Sequence, residues 1–278
     1  MANLSDIRII FSDIDGTLLP FSGKDLAPTA ELIGQLTDRG IEFVPCTGRG
    51  THNIPPAILA ARGVRYAITA NGALVVDLAE GKVLRERTVD PETALSMLRL
   101  ARGLGAQLFC YRYGVHFIDN TRPVPVAPPG FTSLRDWLNT VIPIDFEELI
   151  QDPETHYLDK MGLFSFDPDF KLYVQEEMKK AGLYEKFAIT TSMEWNLELN
   201  AAGGTKGDSA VWLAGQLGYA PQEILTAGDN LNDMSMILAG AISVAPENAV
   251  PAVKEAASVV VPDCRDDGVE DFFRKLLK

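Results

Sequence analysis

Short apolar runs alternate with stretches of helical periodicity at both ends of this 278-residue chain. Near the start, residues 7–11 (IRIIF), 41–46 and 66–69 form the apolar runs, and residues 28–39 and 54–62 have helical periodicity. Continuous apolar runs are typical of strands buried on both faces, and strands that alternate with helices form parallel sheets. The pattern predicts an α/β fold whose core is a doubly wound, Rossmann-like parallel sheet.

The last part of the chain has the same alternation. Residues 206–217 have helical periodicity, and Thr205 is the predicted N-cap, with Asp208 three residues later. The other predicted elements are, in order, a strand at 224–227, a helix at 234–239, strands at 241–244 and 258–261 and a helix at 271–277. Both ends of the chain are therefore expected to contribute to one core.

The region between these two parts lacks the regular alternation of strands and helices. Strand and helix candidates are mixed there, for example a hairpin around Gly114 and a helix at residues 91–103. We interpret this region as an inserted domain of mixed α and β structure. The predicted boundaries are residues 1–84 and 193–278 for the discontinuous Rossmann-like core and residues 85–192 for the inserted domain.

The charge balance bears on the kind of partner. The chain has 25 Lys and Arg against 38 Asp and Glu, which gives a formal net charge of −13. This balance disfavours a nucleic acid, because nucleic-acid phosphates are bound by clustered Lys and Arg. A small phosphorylated substrate remains compatible with it, since one local cluster of basic groups can outweigh the global charge.

Cysteine usage and hydropathy bear on the compartment. Cys46, Cys110 and Cys264 lie far apart without a CxxC pair, which disfavours a zinc site and indicates buried free thiols in a reducing compartment. The N-terminus has no pattern of a secretory signal, and no window of ~18 uncharged apolar residues occurs. The expected location is the cytoplasm, with no membrane partner.

Two acidic residues, Asp13 and Asp15, directly follow the first predicted strand. Ligands bind at the carboxyl ends of the strands in parallel α/β sheets. Packing at a strand exit does not require two carboxylates that repel each other, whereas one of them can bind Mg²⁺ or attack an electrophile while the other transfers a proton. Gly16 permits a tight turn, and Thr17 supplies a hydroxyl. An Asx-rich turn that caps the sheet edge is the alternative interpretation.

Two weaker signals occur at a second strand end and at a helix start. Thr47-Gly48-Arg49 offers a hydroxyl and backbone N–H groups that can bind phosphate oxygens, although such a tripeptide is more often an ordinary loop. Lys206 begins a predicted helix, where the dipole disfavours a cation, so we interpret it as facing an anion. A solvated surface lysine is the alternative. The glycines before Lys206 lack the spacing of a P-loop.

Residues 228–233 (GDNLND) place a second group of acids at a strand end. Asp229 and Asp233 are four residues apart, which allows both to reach one ion; an Asp/Asn-rich loop is the alternative. Acidic metal ligands, a hydroxyl and a lysine that all lie at strand ends or helix starts of one α/β domain are suited to Mg²⁺-assisted phosphoryl transfer.

In this order, four segments resemble the motifs of the haloacid-dehalogenase-like phosphatases: DIDGTLL (13–19), CTGR (46–49), GGTKGDS (203–209) and GDNLNDMSM (228–236). Their spacing is similar to that of subclass IIB, the Cof-type sugar-phosphate phosphatases, in which a large α/β cap is inserted before the lysine motif. Asn71-Gly72-Ala73 and residues 239–248 also fit that pattern. The resemblance extends over essentially the whole chain and is loose in the cap.

The resemblance implies roles for the acidic residues. Asp13 would be the nucleophile that forms an aspartyl-phosphate, and it would also bind the metal. Asp15 would protonate the leaving alcohol and then activate water, and its backbone carbonyl would bind Mg²⁺. Asp229 would bind Mg²⁺ directly, and Asp233 would support the metal shell.

The resemblance also implies which residues bind the substrate. Thr47 and Gly48 would bind the transferring phosphoryl group, and Asn232 would contact phosphate. Lys206 would balance the charge of the phosphoryl group and of Asp13, as a catalytic and a substrate-binding residue.

The expected protein is a Mg²⁺-dependent phosphatase that hydrolyses a small phosphorylated metabolite, such as a sugar phosphate, through an aspartyl-phosphate. Two alternatives remain open at this point. A phosphomutase of the same superfamily would share Asp13 and Asp15, and a non-catalytic module would bind phosphate or metal without turnover. The sequence does not indicate the oligomeric state.

Overall fold

A computed structural model describes residues 3–130, 132–152, 158–193 and 195–278. The described strands are, in chain order, β1 (Ile9–Ser12), β2 (Glu42–Pro45), β3 (Tyr66–Thr69), β4 (Leu74–Asp77), β5 (Lys82–Glu86), β6 (Gln107–Arg112), β7 (Val115–Asp119), β8 (Ile142–Ile144), β9 (Lys160–Phe164), β10 (Phe187–Thr190), β11 (Asn196–Ala201), β12 (Ile224–Ala227), β13 (Ile242–Pro246) and β14 (Val259–Val261).

The α-helices in the same residues are α1 (Ala27–Asp38), α2 (Pro56–Leu59), α3 (Pro91–Leu104), α4 (Thr132–Leu138), α5 (Phe146–Gln151), α6 (Pro168–Lys180), α7 (Lys206–Gln216), α8 (Met234–Ala239), α9 (Pro251–Ala256) and α10 (Gly268–Phe273). Short 3-10 helices connect several of these elements. Among the described residues, none of these helices has the length and apolar character that crossing a membrane requires.

The chain forms two compact units. Unit 1 comprises Met1–Glu86 and Gly203–Lys278, and unit 2 comprises Arg87–Ala202. The sequence places the junctions after residues 84 and 192, so the second junction lies ten residues further along the chain than expected. The reason is β11, which pairs with β9 and β10 and therefore belongs to unit 2.

Unit 1 is built on a parallel sheet with the strand order β14-β13-β12-β1-β2. Successive residues of β1 point to opposite faces of the sheet. Ile10 packs in the cluster that contains Leu32 of α1 and Phe272 of α10, whereas Phe11 packs in the cluster that contains Leu213 of α7. Helices therefore cover both faces of the sheet, and the predicted doubly wound α/β class is confirmed.

The strand β3 departs from the predicted arrangement. The β-α-β-α-β pattern places it in the parallel sheet, but its Ile68 forms only an isolated parallel bridge, with Cys46 directly after β2, within the described residues. It pairs instead with β4, in a three-stranded antiparallel sheet of the order β3-β4-β5. The chain reverses directly after β3, because Ala70, Asn71 and Gly72 all have positive φ angles.

Unit 2 contains a six-stranded sheet of the order β10-β11-β9-β6-β7-β8, in which the β7–β8 pair alone is parallel. One face packs against α3, α5 and α6 through a core that includes Leu108 and Met161. The alternate residues Phe109 and Tyr111 lie on the other face, in an aromatic cluster with Trp195. The predicted mixture of strands and helices in this region is present.

Candidate active site

The predicted nucleophile, Asp13, follows the central part of the parallel sheet. Its strand β1 lies between β12 and β2, so both neighbours fix the position at which the strand ends. The backbone N–H of Asp13 donates a hydrogen bond to the carbonyl oxygen of Ala227, at the end of β12, at 2.9 Å. Asp13 is buried, and its carboxylate lies in the interior of unit 1.

Gly16 brings the loop after Asp13 close to a second acidic residue, Asp229. Its φ angle is +85°, and a Cβ atom at this position would lie 2.4 Å from Oδ2 of Asp229. Both the backbone conformation and the available space therefore require glycine. The Asn248 amide donates a hydrogen bond to the carbonyl oxygen of Gly16 at 2.7 Å. A residue from a distant part of the sequence thus stabilises this loop.

Asp13, Asp229 and Asp233 form a buried acidic cluster. One carboxylate oxygen from each residue lies within 4.8 Å of the others. Asp233 is fixed by its own loop, because its Oδ2 accepts hydrogen bonds from the backbone N–H groups of Asp229 and Asn230, each at 3.0 Å. The four-residue spacing thus brings Asp229 and Asp233 together, as predicted from the sequence.

Lys206 supplies the cation that contacts this cluster. It is the first residue of α7, whose N-cap Thr205 and third residue Asp208 form a capping box. Lys206 is fully buried, and its Nζ lies 2.6 Å from Oδ1 of Asp13 and 2.5 Å from Oδ1 of Asp233. The prediction that Lys206 faces an anion agrees with these contacts.

Close packing of α7 against α8 places Lys206 beside Asp233. A Cβ atom at Gly207 would lie 2.2 Å from the carbonyl oxygen of Ser235. The backbone N–H of Gly207 also donates to the Ser235 hydroxyl at 3.0 Å. The glycine after the lysine, which separates this segment from a P-loop, allows the two helices to approach.

Burial, and after it the negative charge of the neighbouring carboxylates, raises the pKa values of two carboxyl groups of the cluster. Burial raises the pKa of Asp13 to about 7, and the charge of Asp233 adds to this effect. The pKa of Asp229 is raised to about 9, mainly by burial and then by the charges of Asp13 and Asp233. Burial alone would lower the pKa of Lys206, but Asp13 and Asp233 raise it above its ordinary value, so the ammonium group stays charged.

The donor set of the cluster fits a divalent cation. All of its donor atoms are carboxylate oxygens, which Mg²⁺ prefers over the nitrogen and sulfur ligands typical of Zn²⁺. Asp229 forms no ion pair within the described residues, and its Oδ1 accepts a hydrogen bond from the Thr17 hydroxyl at 3.1 Å. One lysine does not neutralise three buried carboxylates, and a divalent cation would supply the missing charge.

Asp15 is paired differently from the other predicted acids. Both of its carboxylate oxygens accept hydrogen bonds from the Arg49 guanidinium, from Nε at 2.7 Å and from Nη2 at 2.6 Å. Both side chains are partly exposed. Asp15 therefore has a cation of its own and does not share Lys206 with Asp13.

The predicted phosphate-binding residues follow β2 and β12. Thr47 is buried, and its hydroxyl accepts a hydrogen bond from the backbone N–H of Arg49 at 3.1 Å, while Gly48 lies partly exposed between them. The carbonyl oxygen of Thr47 accepts from the N–H of Asn71 at 3.0 Å. The Asn71 side chain in turn accepts from the Asn232 amide at 3.1 Å, which links Thr47 to Asn232 indirectly.

Three residues that contact the predicted site residues or their loops have no role predicted from the sequence. Arg49 and Asn71 stand inside the recognised segments CTGR and Asn71-Gly72-Ala73, so their position in those segments was the available signal. Asn248 ends the recognised segment 239–248, and besides holding Gly16 it accepts from the N–H of Cys264 at 2.9 Å. The pairing of these residues across loops was not visible in the sequence.

The parallel sheet carries a buried acidic cluster whose residues follow β1 and β12, an arrangement typical of the ligand sites of α/β proteins. A family model of the haloacid dehalogenase-like hydrolases matches residues 10–273. The chain belongs to the haloacid dehalogenase-like hydrolases.

Known relatives match over nearly the full length. Phosphatase YwpJ of Bacillus subtilis (strain 168) is 26% identical over 300 residues, which covers 98% of this chain and 100% of the relative. The 5-amino-6-(5-phospho-D-ribitylamino)uracil phosphatase YwtE of the same organism is 27% identical over 290 residues, with 98% of each chain covered. The predicted family and the predicted class of enzyme, a phosphatase, are confirmed.

The fold is also similar to that of solved structures. The structure of the HAD subclass IIB sugar phosphatase BT4131 matches with a TM-score of 0.79 at 22% identity, over 96% of this chain and 98% of that chain. At this identity the match shows the fold, a Rossmann-like core with an additional α/β domain.

Proposed function

We propose that this chain is a Mg²⁺-dependent phosphatase that hydrolyses a small phosphorylated metabolite through an aspartyl-phosphate on Asp13. The contact between the buried Lys206 ammonium and the Asp13 carboxylate carries this proposal. A carboxylate alone would repel a phosphate dianion. The paired lysine removes part of this repulsion and leaves the second oxygen of Asp13 for attack.

The proposed reaction has two steps. In the first, a carboxylate oxygen of Asp13 bonds to phosphorus, the ester P–O bond breaks, and Asp15 donates a proton to the leaving oxygen. In the second, Asp15 takes a proton from water, the water oxygen bonds to phosphorus, and the bond between phosphorus and Asp13 breaks. The products are the alcohol and inorganic phosphate, and both carboxyl groups return to their starting states.

The remaining residues bind and neutralise the phosphoryl group. The Thr47 hydroxyl, the Gly48 backbone N–H and the Asn232 amide would donate hydrogen bonds to its oxygens. Asp13, Asp229 and the carbonyl oxygen of Asp15 would hold Mg²⁺, and Asp233 would support this set. Bound Mg²⁺ would offset negative charge on the phosphate and on the carboxylates.

The substrate class is proposed from the relatives and from the charge of the chain. YwtE and BT4131 are named for a phosphorylated ribityl compound and for sugar phosphates. We expect a phosphorylated polyhydroxy metabolite here, and neither nucleic acid nor a membrane as a partner. Cys46, Cys110 and Cys264 are all buried and unpaired, which supports a reducing compartment such as the cytoplasm.

The test is phosphate release from a panel of phosphorylated metabolites in the presence of Mg²⁺. We expect at least one sugar phosphate to be hydrolysed, and Asp13→Asn to lower kcat by at least about 10³-fold because it removes the nucleophile. Asp271→Asn, at an exposed residue of α10, is the matched control and should retain activity.

Three outcomes would contradict the proposal. Equal activity of Asp13→Asn and the wild-type protein would remove Asp13 as the nucleophile. Conversion of one phosphate ester into an isomer without accumulation of inorganic phosphate would identify a phosphomutase. Binding of phosphate without turnover of any substrate would identify a non-catalytic module.

A further inference from the structure

Arg49 connects two loops of the candidate active site. Its guanidinium donates to both carboxylate oxygens of Asp15, and its Nη1 donates to the carbonyl oxygen of Asn53 at 2.8 Å. Its backbone is fixed at the same time, because its N–H donates to the Thr47 hydroxyl and its carbonyl oxygen accepts from the N–H of Ala70 at 2.9 Å. The side chain is therefore anchored at both ends.

The paired geometry restricts the Asp15 carboxylate. A guanidinium is planar, and two parallel N–H···O bonds define the plane of the carboxylate as well as its position. Each oxygen of Asp15 retains a second lone pair that can carry a proton. The pair thus fixes the orientation of Asp15 and leaves it able to exchange a proton with a third group.

Asp13 and Asp15 are held by different cations on different elements. Lys206 of α7 contacts Asp13, whereas Arg49 of the loop after β2 contacts Asp15. Lys206 and Arg49 are attached to separate parts of unit 1. The nucleophile and the proton-transfer group are therefore held by two separate ion pairs.

We propose that Arg49 is a positioning residue that orients the Asp15 carboxyl group, in its protonated form, for proton transfer to the leaving oxygen. This inference rests on the proposed function of Asp15. Loss of the guanidinium would leave Asp13, Lys206 and the phosphate-binding loop in place but would allow the Asp15 side chain to rotate. The loss of kcat/KM should then be larger for leaving groups that are more basic, because these need a proton as the ester bond breaks.

The experiment uses a series of aryl phosphates from 4-nitrophenyl to 4-methylphenyl phosphate. These probes have similar size and differ mainly in the basicity of the leaving phenolate. The readout is kcat/KM, which reports on the steps up to transfer of the phosphoryl group to Asp13. In Arg49→Gln, we expect a decrease of roughly 10-fold or more for 4-methylphenyl phosphate and a smaller one for 4-nitrophenyl phosphate.

Two further variants test the route through Asp15. Arg49→Lys keeps the charge without the planar pair of donors and should lie between Arg49→Gln and the wild-type protein. In an Asp15→Asn background, Arg49→Gln should cause no additional loss, because the two substitutions remove one shared effect. Arg62→Gln removes a pair of similar geometry with Asp38 on the surface and should leave kcat/KM unchanged.

The outcomes separate this proposal from the proposed function. An equal loss for all aryl phosphates in Arg49→Gln, or additive losses in the double variant, would overturn the role of Arg49. If Asp15→Asn itself leaves the dependence on the leaving group unchanged, the proton-transfer role of Asp15 is wrong. If Asp15→Asn changes this dependence and Arg49→Gln does not, only the proposal for Arg49 falls.

Discussion

Lys206 has no exposed surface, although lysine is among the residues that are most rarely buried. Its burial is stable because the ammonium group contacts Asp13 and Asp233 at the same time. Removing one member of such a group leaves the others without compensation, which costs more than the intact group contributes. The stability of unit 1 therefore depends on the ion pairs that Lys206 forms with Asp13 and Asp233.

The substitution Lys206→Met tests this dependence. We expect kcat to fall by at least about 100-fold, because the negative charges of Asp13 and of the phosphoryl group would lose the protein cation that offsets their repulsion. Without Mg²⁺ at pH 8, the free energy of unfolding should fall by about 3 kcal/mol, measured by urea unfolding. Lys254→Met is the control, since its Nζ donates a hydrogen bond to the carbonyl oxygen of Glu247 and forms no ion pair with any other described residue. Unchanged unfolding of Lys206→Met would contradict the assignment.

The helix α7 shows how one element positions the site. Its cap residues Thr205 and Asp208 could be recognised in the sequence, because the capping box has a fixed spacing. Its contact with α8 could not, because the approach at Gly207 depends on the position of Ser235 in another part of the chain.

A pair of glycine substitutions in α7 tests this packing. Gly207→Ala should destabilise the protein by about 1–3 kcal/mol and lower phosphatase activity, because a methyl group would press against the carbonyl oxygen of Ser235 and move Lys206. Gly215→Ala, in the same helix, meets no atom within 4 Å and should stabilise by about 0.5–1 kcal/mol. Thermal unfolding and phosphate release measure both effects. Equal behaviour of the two variants would refute the close-packing explanation.

The sequence predicts the bounds of some helices and strands well, but it does not predict which strands pair with each other. The strand β12 and the helix α8 coincide with the predicted ranges, because their local patterns are strong and short loops surround them. The partners of β3 and β11 were not predictable, since an alternation of apolar residues does not specify which strand pairs with it. The acidic residues of the site were placed by their motifs, whereas the pairing of Asp15 with Arg49 depends on two loops that meet only in the fold.

At the scale of the whole molecule, the active-site cluster makes the stability of a negatively charged chain depend on pH. The net charge is −13, and Asp13 and Asp229 hold protons more tightly in the folded protein than when unfolded. A raised pKa stabilises the folded state at low pH, and this contribution is lost as the pH rises through the folded value. Without metal, these two groups therefore stabilise the protein progressively less from about pH 4 through pH 7 to pH 9.

Mg²⁺ should reverse this loss, because it binds the deprotonated carboxylates. We expect the increase in Tm caused by Mg²⁺, relative to EDTA, to grow between pH 6 and pH 9, by roughly 1–3 kcal/mol in equivalent free energy. Scanning fluorimetry at several pH values measures it. In Asp229→Asn the growth with pH should be largely absent. An Mg²⁺ effect that is the same at all pH values would contradict the raised pKa of these carboxyl groups.

The strand order has a consequence for synthesis on the ribosome. β1 and β2 are complete by residue 45, but β12, the other neighbour of β1, ends at residue 227. At roughly 5–20 residues per second, the nascent chain waits roughly 10–40 s for this partner. During that interval one side of β1 has unpaired N–H and C=O groups. Until β12 is synthesised, this edge of β1 is therefore exposed to pairing with other chains.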